Sequence, residues 1–567
     1  MCRRAKQIID REDVKIVSFD IFDTLIVRPS LSDDDLWQCL SKRIEEKYGI
    51  DYFYSARHDA EWACGVSNPS LVDIWNYIGK KYVLSEKHIK DLMQEEINLE
   101  IGVSEPRAVI KELYRYALSK SKKVIAVSDM YLPSDVLRRM LDNCGYTEIS
   151  NIYVSCEEKS RKSDGALFRK VEKKEACCRG SFFHIGDNYQ SDRLMSRQSG
   201  WKSLCVPSTL SYFVNSSPRT AYRFLDSNFK SAESRCLLGY VINYAENNHV
   251  SGLKFGKPLD IYTFADVYLF PLLYRISGFC AFNKEIQSLY GHIHFIARDG
   301  WLPIKAYETI RKVCGNVCAS SYLFGSRLFY YSSDEEILNR ARQYYKDVLH
   351  TSDNRALVFD IGYNGSVSLG IQNAVHDSKL KVDKVYVWQH PLNATRDREQ
   401  GTRTFLLEGD FPSKGEGIYK DWLIFMECLL CPLVGSVTDV TKERDDYIPH
   451  YAEQNFSREM RDAITKMQEE SLSVFTSYVN LLGNEYCECF QLPSDSPFLN
   501  LAYHYIERDD KRFNDFLDSI IFEDQFLKGK PISLGDMIRR YSQPDWIISI
   551  KVTISRILGN LSLRSCF

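Results

Sequence analysis

The sequence predicts an α/β protein: a Rossmann-like, doubly wound parallel sheet with a helical cap insertion, then a second α/β domain and a mainly helical C-terminal region. Short apolar runs alternate with helical periodicity through the first third of the 567 residues, and strands separated by helices form parallel sheets. The long stretch between the first two runs is helical in pattern, and structureless loops of that length are uncommon. We therefore expect this stretch to form a cap over the strand ends.

Each predicted element has a local signal in the chain. The predicted strands of the first third are residues 14–19, 123–127, 152–155 and 182–185. Ser32 is a suitable N-cap for the first cap helix, and Gly145 is a stop signal after a helix at 136–143. The predicted divisions are a core at 1–210 with its cap at about 27–105, a connector at 211–235, a second α/β domain at 236–440 and a helical region at 441–567.

The composition excludes several classes of protein. Hydrophobic residues make up 44% and charged residues 26% of the chain, as in folded globular proteins. The formal net charge of −3 gives no electrostatic reason to expect a nucleic-acid partner. Residues 1–13 are charged and lack the apolar centre of a signal peptide. The 17 cysteines are scattered along the chain, unlike a disulfide framework. We expect a cytoplasmic protein.

Polar residues suited to phosphate and metal chemistry lie at or just beyond the predicted strand ends. Ligands of a doubly wound sheet gather at the carboxyl ends of its strands, so these residues are expected to meet in one site. Carboxylates can act as nucleophiles and can hold Mg²⁺, while hydroxyl and ammonium groups stabilise phosphoryl oxygens. The residues are Asp20, Asp23, Ser128, Asp129, Lys162, Asp187 and Asp192.

In this order, and with a helical insertion after the first element, the motifs resemble the haloacid dehalogenase (HAD) superfamily over residues 10–210. The resemblance implies a Mg²⁺-dependent phosphohydrolase or phosphotransferase that forms an aspartyl-phosphate on Asp20. It implies phosphate binding by Ser128 and Lys162, with Asp129 beside them. The implied metal ligands are Asp20, the carbonyl of Phe22 and Asp187, with Asp192 as a ligand or supporting acid.

One position departs from the phosphatase pattern of this superfamily. Phosphatases carry a second Asp two residues after the nucleophile as general acid and base, whereas here Phe22 holds that position and Asp23 follows. Haloacid dehalogenases also lack the second Asp, but they lose the acid that matches Asp187. Removal of a general acid–base costs about 10²–10⁴-fold in rate. Three alternatives stay open: Asp23 substitutes, the leaving group needs no acid, or the protein binds a phosphorylated ligand without turnover as a scaffold.

Arg28 lies a few residues beyond the predicted nucleophile. It has two alternative roles. It binds a second anionic group of the substrate under the cap, or it forms a salt bridge with a cap carboxylate such as Asp33. We favour the salt bridge and keep Arg28 as a candidate substrate-binding residue.

The pattern of strand, polar turn and helix returns in the second region, with apolar runs at 292–297, 356–359 and 384–388. Helix N-termini after glycine loops bind anions, which predicts a site for an anion or sugar phosphate. The alternative is that the glycines only allow tight turns. The candidate residues are Arg298, Asp299, Gly300, Arg327, Asp360, Gly362, Asn364, Gly365 and Ser366.

Together with residues 322–327, these turns resemble the second half of HAD-type hydrolases from bacterial surface-polysaccharide gene clusters, some of which are fused to glycosyltransferases. The resemblance implies a phosphorylated sugar or related metabolite as substrate, a role in polysaccharide biosynthesis and association with glycosyltransferases. Glycosyl or sugar-phosphate transferase activity of the second half is a further alternative.

The C-terminal segment at 546–567 is apolar and basic, with Lys551, Arg556 and Arg564 as its cations. Clusters that bind anionic lipids carry about four to eight cations. Because this segment has fewer, we expect it to dock on the protein, and we expect no membrane contact.

Overall fold

The computed structural model describes residues 2–250, 252–257, 259–327, 332–363, 365–376, 379–389, 391–407, 426–454, 456–494, 496–506 and a few positions between 515 and 536. The chain forms two compact units, one of residues 1–255 and 480–490 and the other of residues 256–479 and 491–567. Asn364 of the candidate second site and the segment at 546–567 lie outside the described residues.

The first unit is built on a five-stranded, wholly parallel sheet in the order β5-β4-β1-β6-β7. This is the Rossmann order, in which the strand sequence reverses direction between β1 and β6 and ligands bind at that point. The predicted α/β, doubly wound fold is therefore confirmed. The strands of this unit are β1 Ile16–Phe19, β2 Ile26–Val27, β3 Glu105–Pro106, β4 Lys123–Ser128, β5 Asn151–Val154, β6 Phe182–Gly186 and β7 Lys202–Cys205.

Helices pack around this sheet and continue through the predicted connector. Most of residues 211–235 is helical rather than extended, because apolar side chains such as Phe213, Ala221 and Leu225 are buried on one side of short helices. The helices outside the cap are Cys2–Ile9, Ala108–Ser119, Ser134–Asn143, Ser155–Glu158, Ala166–Glu175, Ser196–Gln198, Thr209–Val214, Pro218–Asn228 and Ala232–Asn248, with a π-helical turn at Tyr189–Met195 and a 3-10 turn at Arg179–Ser181.

The cap leaves and rejoins the core through an antiparallel pair of short strands, β2 and β3, with Ile26 opposite Pro106. The first cap helix begins after Ser32. Three aspartates in its first turn interact favourably with the positive end of the helix dipole. That helix ends at Gly49, whose φ of 68° requires the left-handed region. The cap helices are Asp33–Tyr48, Phe53–His58, Ala60–Ala63, Leu71–Lys81 and Glu86–Gly102.

The second unit has its own five-stranded parallel sheet, in the order β12-β11-β10-β8-β9. This is the flavodoxin-like order, in which the reversal falls between the first and third strands, β8 and β10. The strands are β8 His292–Ile296, β9 Ala319–Leu323, β10 Arg355–Tyr363, β11 Lys381–Gln389 and β12 Thr404–Leu406. The helices around them are Ile261–Phe264, Phe270–Phe282, Lys284–Leu289, Trp301–Cys314, Glu335–Val348, Ser366–Ala374 and Pro391–Gln400, with a π-helical turn at Ala265–Leu269.

The region predicted to be mainly helical contains a hairpin at its start. Strands β13 Val437–Glu443 and β14 Asp446–Tyr451 pair antiparallel, with Val437 and Val440 buried. The long helix Arg458–Tyr486 is interrupted at Gly483, and the helix Ser496–Ile506 follows. A final pair joins β15 Ile521–Phe522 and β16 Ile532–Ser533. Across the described part of the chain, no helix combines the length and apolar character needed to cross a membrane.

Candidate active site

Asp20 and Lys162 meet at the point where the strand order of the first sheet reverses. The Asp20 backbone N–H donates to the Ile185 carbonyl of β6 at 2.8 Å, which holds the start of this loop against the neighbouring strand. Lys162 Nζ lies 2.5 Å from Asp20 Oδ1 and 2.7 Å from Asp192 Oδ1. Burial lowers the pKa of Lys162, but the two carboxylates outweigh burial and raise the pKa above its ordinary value. Lys162 is therefore a fixed positive charge.

A cluster of three carboxylates surrounds this ammonium group. Oxygens of Asp20, Asp187 and Asp192 all lie within 4.8 Å of one another. Burial, followed by the charges of Asp23 and Asp192, raises the pKa of Asp187 to about 7. Burial also raises the pKa of Asp20, and Lys162 opposes this only in part. The donor set is hard, oxygen-only and short of positive charge, which fits a divalent cation such as Mg²⁺.

Asp192 is held by groups on both sides of its carboxylate. His184 Nε2 lies 3.2 Å from Asp192 Oδ1, and the Asn188 backbone N–H donates to Asp192 Oδ2 at 2.9 Å. His184 Nδ1 lies 2.8 Å from Ser18 Oγ. Burial keeps the pKa of His184 low, so the neutral ring donates from Nε2 to Asp192 and accepts from Ser18. Burial raises the pKa of Asp192, but Lys162 and His184 outweigh it and hold that pKa well below its usual range.

Ser128 and Asp129 lie at the end of β4, and their surroundings differ. Ser128 is the last residue of the strand and is buried. Asp129 accepts the backbone N–H of Lys162 with both carboxylate oxygens, at 2.9 and 3.1 Å. Burial raises the pKa of Asp129, while the Lys162 charge lowers it. Asp129 therefore fixes the turn that presents Lys162, which places it in the site as a support.

Asp23 has an unusual position in the loop after β1. Its φ is 54°, in the left-handed region, and Arg107 Nη1 donates to its carbonyl at 2.9 Å. The Asp23 side chain is exposed, yet the surrounding protein raises its pKa by desolvation. The Asp23 charge also raises the pKa of Asp187, so Asp23 lies near the carboxylate cluster.

Phe22 and Arg28 form the side of this loop that faces the cap helices. The Arg28 guanidinium carbon lies 4.5 Å from the centroid of the Phe22 ring. Arg28 also donates to Asp33 at 2.6 Å and to Glu100 at 3.1 Å. The salt bridge with Asp33, which the sequence favoured, is present. A role of Arg28 in substrate binding stays a prediction.

The second sheet also gathers charged residues where its strand order reverses. Asp299 accepts from Cys431 Sγ at 3.2 Å, and Arg298 Nη1 donates to Ser436 Oγ at 2.9 Å. Burial and the charge of Asp299 raise the pKa of Asp360 to about 7. Arg327 exerts an opposing charge on Asp299 and Asp360.

Three glycines of the candidate second site meet close neighbours. An added Cβ at Gly300 would lie 2.7 Å from the Ile296 carbonyl, and one at Gly362 would lie 2.3 Å from the Trp388 carbonyl. Gly365, with a φ of 58°, precedes the helix that begins at Ser366. The tight turns that the sequence left as an alternative are therefore present, and the anion site stays a prediction.

Three ionisable residues were missed by the sequence analysis. His184 is the one polar side chain in an otherwise apolar strand core, which is a visible but weak signal. Arg107 and Glu427 have no local signal. The role of Arg107 depends on distant carbonyls, and Glu427, whose pKa burial and the charge of Asp299 raise to about 8, joins the second cluster from far along the chain.

No family model and no curated protein matches this chain. Solved structures similar to parts of it include a HAD-like hydrolase from Xanthomonas campestris, which is 14% identical in sequence. The match covers 35% of this chain and 84% of that chain, and its TM-score is 0.27. A predicted phosphoglycolate phosphatase from Haemophilus somnus 129PT has 15% identity, coverages of 35% and 91%, and a TM-score of 0.25. The L-2-haloacid dehalogenase from Xanthobacter autotrophicus has 14% identity, coverages of 38% and 83%, and a TM-score of 0.26. TM-scores this low establish no relationship, and the proposals below rest on the strand topology, the site geometry and the motifs of the sequence.

Proposed function

We propose that the first unit is a Mg²⁺-dependent HAD-type phosphohydrolase or phosphotransferase acting on a phosphorylated sugar or related metabolite. One observation carries the proposal: Lys162 lies between Asp20 and Asp192 at the reversal point of a Rossmann-ordered sheet, with Asp187 completing a carboxylate cluster. A nucleophilic carboxylate, a fixed cation and a hard metal-ligand set are the parts that phosphoryl transfer needs.

In the proposed reaction, an oxygen of Asp20 attacks phosphorus and the bond to the leaving alcohol breaks, which gives an aspartyl-phosphate. Lys162 and Ser128 donate to the phosphoryl oxygens. Asp23, whose raised pKa favours the protonated form, gives its proton to the leaving oxygen and then takes one from the water that hydrolyses the intermediate. Mg²⁺, held by Asp20 and Asp187 with Asp192 beside them, would neutralise phosphoryl charge.

The test is phosphate release from a panel of sugar phosphates by the purified full chain with Mg²⁺. Asp20→Asn is expected to abolish release, because the amide is not a nucleophile. Asp164→Asn is the matched control, since Asp164 is an exposed aspartate on the Lys162 turn that caps a backbone N–H. Activity that persists unchanged in Asp20→Asn contradicts the proposal.

Phe22 favours the competing reading, in which the site binds a phosphorylated ligand without turnover. Phe22→Asp separates the two readings. A large gain in phosphatase rate over the natural chain would mean that the natural site is slow because it lacks a general acid. A loss of rate is expected if Asp23 already acts as the general acid and base, because the new carboxylate adds repulsion beside Asp187. Beryllofluoride bound with Mg²⁺ but without turnover on a broad panel would favour the binding function.

The cellular role belongs to the same proposal. A role in bacterial surface-polysaccharide biosynthesis and association with glycosyltransferases rest on the resemblance of the motifs alone, and a cytoplasmic location rests on the composition of the sequence. Deletion of the gene with analysis of surface polysaccharide would test the first. Affinity purification of the full chain from its own cells would test the association.

A second candidate function is sugar-phosphate or glycosyl transfer by the second unit. The observation in its favour is the group of Arg298, Asp299 and Asp360 at the reversal point of its own sheet. Calorimetry of the Asp20→Asn full chain with a nucleoside diphosphate sugar would test it. Binding that Arg298→Met removes would support this function, and absence of binding would contradict it.

A further inference from the structure

Several buried hydrogen-bond donors of the first unit have no acceptor among the residues that the structure describes, and three of them lie around one guanidinium group. These three are Tyr131 Oη, Trp37 Nε1 and Arg57 Nη1, and we call these residues the Tyr131 cluster. The Arg57 guanidinium carbon lies 4.0 Å from the centroid of the Trp37 ring and 4.7 Å from that of Tyr131. Their exposed fractions are 0% for Arg57, 4% for Tyr131 and 6% for Trp37. Buried donors without acceptors are rare in native proteins and cost free energy. The cluster can therefore take an acceptor that the chain does not supply, which is either a water molecule or an oxygen of a ligand.

The Tyr131 cluster adjoins the candidate active site. Tyr131 follows Ser128 by three residues, so it belongs to the same turn at the end of β4. Trp37 and Arg57 come from the first two cap helices. Arg28 links the cluster to the loop after β1, because its guanidinium contacts the Phe22 ring and lies near enough to Tyr131 for a charge on that residue to raise the pKa of Arg28. Cap and core thus contribute donors to one place beside the site.

The positive charges near these donors are already paired. Arg57 Nε donates to both oxygens of Glu96, at 3.0 and 3.1 Å. Arg28 is paired with Asp33 and Glu100. A second anionic group of a substrate would meet carboxylates here as well as arginines, and breaking a buried ion pair is costly. Neutral hydroxyl oxygens, in contrast, accept from Tyr131 and Trp37 without displacing any charge, and aromatic rings supply apolar contact for the carbon chain.

We propose that the Tyr131 cluster selects a phosphate monoester whose organic part is uncharged and bears hydroxyl groups, and that it rejects a second anionic group. This inference rests on the proposed function, because the phosphate itself is placed at Asp20 and Lys162. Tyr131 and Trp37 act as specificity-determining residues. A site built to hydrogen-bond hydroxyl groups discriminates strongly, since an unsuitable ligand leaves its buried donors unpaired.

The test compares two ligands that differ at one end of the same carbon chain. Glucitol 6-phosphate ends in a hydroxymethyl group, and 6-phosphogluconate ends in a carboxylate. Both are titrated by calorimetry into the Asp20→Asn full chain with Mg²⁺, which removes turnover from the measurement. We expect glucitol 6-phosphate to bind at least about tenfold more tightly. Equal affinity, the reverse preference or binding of neither ligand would overturn the inference.

Tyr131→Phe, made in the same background, separates recognition from a structural role. We expect the affinity for glucitol 6-phosphate to fall about tenfold, because a hydrogen bond in the complex is lost. The melting temperature of the ligand-free protein should stay equal or rise, because the variant removes a buried hydroxyl without a partner. Tyr153→Phe is the control, since its hydroxyl donates to Glu175 at 2.8 Å. It should lower the melting temperature and leave affinity unchanged.

A fall in melting temperature for Tyr131→Phe with unchanged affinity would show a structural role and overturn the inference. Failure of the proposed function is a separate result. If the natural chain releases no phosphate from any substrate, the proposed hydrolase fails, whereas the ligand preference measured with Asp20→Asn still decides the role of the Tyr131 cluster.

Discussion

At the scale of single residues, the candidate active site holds several negative charges close together and offsets them in part. Asp20, Asp187 and Asp192 lie together, and Lys162 offsets part of their charge. His184 contributes no charge, so it holds Asp192 through a hydrogen bond without competing with a cation. The remaining negative charge is what would attract the proposed metal ion.

Gly186 is the residue on which this packing depends most closely. A Cβ at this position would lie 2.3 Å from Asp192 Cγ, far inside van der Waals contact. Gly186→Ala is expected to lower the free energy of unfolding by about 1–3 kcal/mol, as overpacking does, and to lower Mg²⁺ affinity by displacing Asp192. Urea unfolding with and without Mg²⁺ measures both. Gly180→Ala is the control, because an added Cβ there meets no atom within 4 Å; equal effects of the two variants would contradict this account.

Arg107 joins the loop after β1 to two other segments of the first unit. It donates to the Asp23 carbonyl, to the Pro207 carbonyl at 2.7 Å and to Glu246 at 2.6 and 2.8 Å. Arg107→Met is expected to lower the free energy of unfolding by about 3 kcal/mol, because it leaves a largely buried carboxylate unpaired.

Urea unfolding of Arg107→Met should be compared with Arg11→Met. Arg11 also makes a two-point contact, with Asp13, but both side chains are more than half exposed, so no measurable change is expected. A variant of Arg107 as stable as the natural chain would show that the tie has no energetic importance.

Sequence alone could predict where the residues of the candidate site lie, because each is at or just after the end of a buried strand that the sheet fixes. Asp20, Ser128 and Asp187 are placed by this rule. The rule fails for Arg107, which acts through the carbonyls of Asp23 and Pro207. Backbone carbonyls are present at every residue, so no pattern of side chains marks such a contact in advance.

At the scale of elements, every strand of the two five-stranded sheets with neighbours on both sides was predicted, together with the edge strand β5. β1 and β6 are buried along their whole length, and they read as continuous apolar runs. The edge strands β7, β9 and β12 were not predicted. Each is short and mixes polar with apolar residues, because an edge strand has a neighbour on one side only.

The imidazole rings of two β8 residues and His350 lie against one another, and we expect them to make the second unit less stable in acid. The ring centroids of His292 and His350 lie 4.3 Å apart, and those of His292 and His294 lie 4.5 Å apart. Burial and the charge of its neighbour His292 lower the pKa of His294 to about 3. His294 accepts the His350 backbone N–H at Nε2 and lies 2.8 Å from Ser321 Oγ at Nδ1. The neutral ring is therefore the form that the fold requires.

An unfolded histidine has a pKa of about 6.5, so between that pH and about 3 the unfolded state binds a proton that the native His294 does not. Stability from this group is therefore complete above pH 6.5 and falls as the pH is lowered. We expect about 1.4 kcal/mol less stability at pH 5.5 than at pH 7.5 from His294 alone. Urea unfolding against pH should show a shallower slope in His294→Gln. His88→Gln, at an exposed helix position, should keep the natural slope; equal slopes in the two variants would contradict the assignment.

At the scale of the whole molecule, both units have a point where the strand order of the sheet reverses, although their strand orders differ. The first sheet reverses between β1 and β6, and the second between β8 and β10. Each reversal point carries carboxylates next to basic side chains. The cluster of the first unit brings its carboxylate oxygens within the span of one metal ion, and His184, Asn188 and Asp129 hold its side chains or the Lys162 turn in place. This is the physical reason for assigning the metal chemistry to the first unit.

Mg²⁺ should stabilise the folded chain through Asp187, and this can be measured without a substrate. A ligand that binds only the native state adds about 2.7 kcal/mol when present at 100 times its dissociation constant. The melting temperature is therefore expected to rise with Mg²⁺ concentration and to fall again with a chelator.

Asp187→Asn should abolish the rise. The same variant should be more stable than the natural chain without metal, because it removes repulsion with Asp23 and Asp192. Asp226→Asn, at an exposed helical position, is the control and should keep the full response. A variant of Asp187 that responds to Mg²⁺ like the natural chain would place the metal elsewhere.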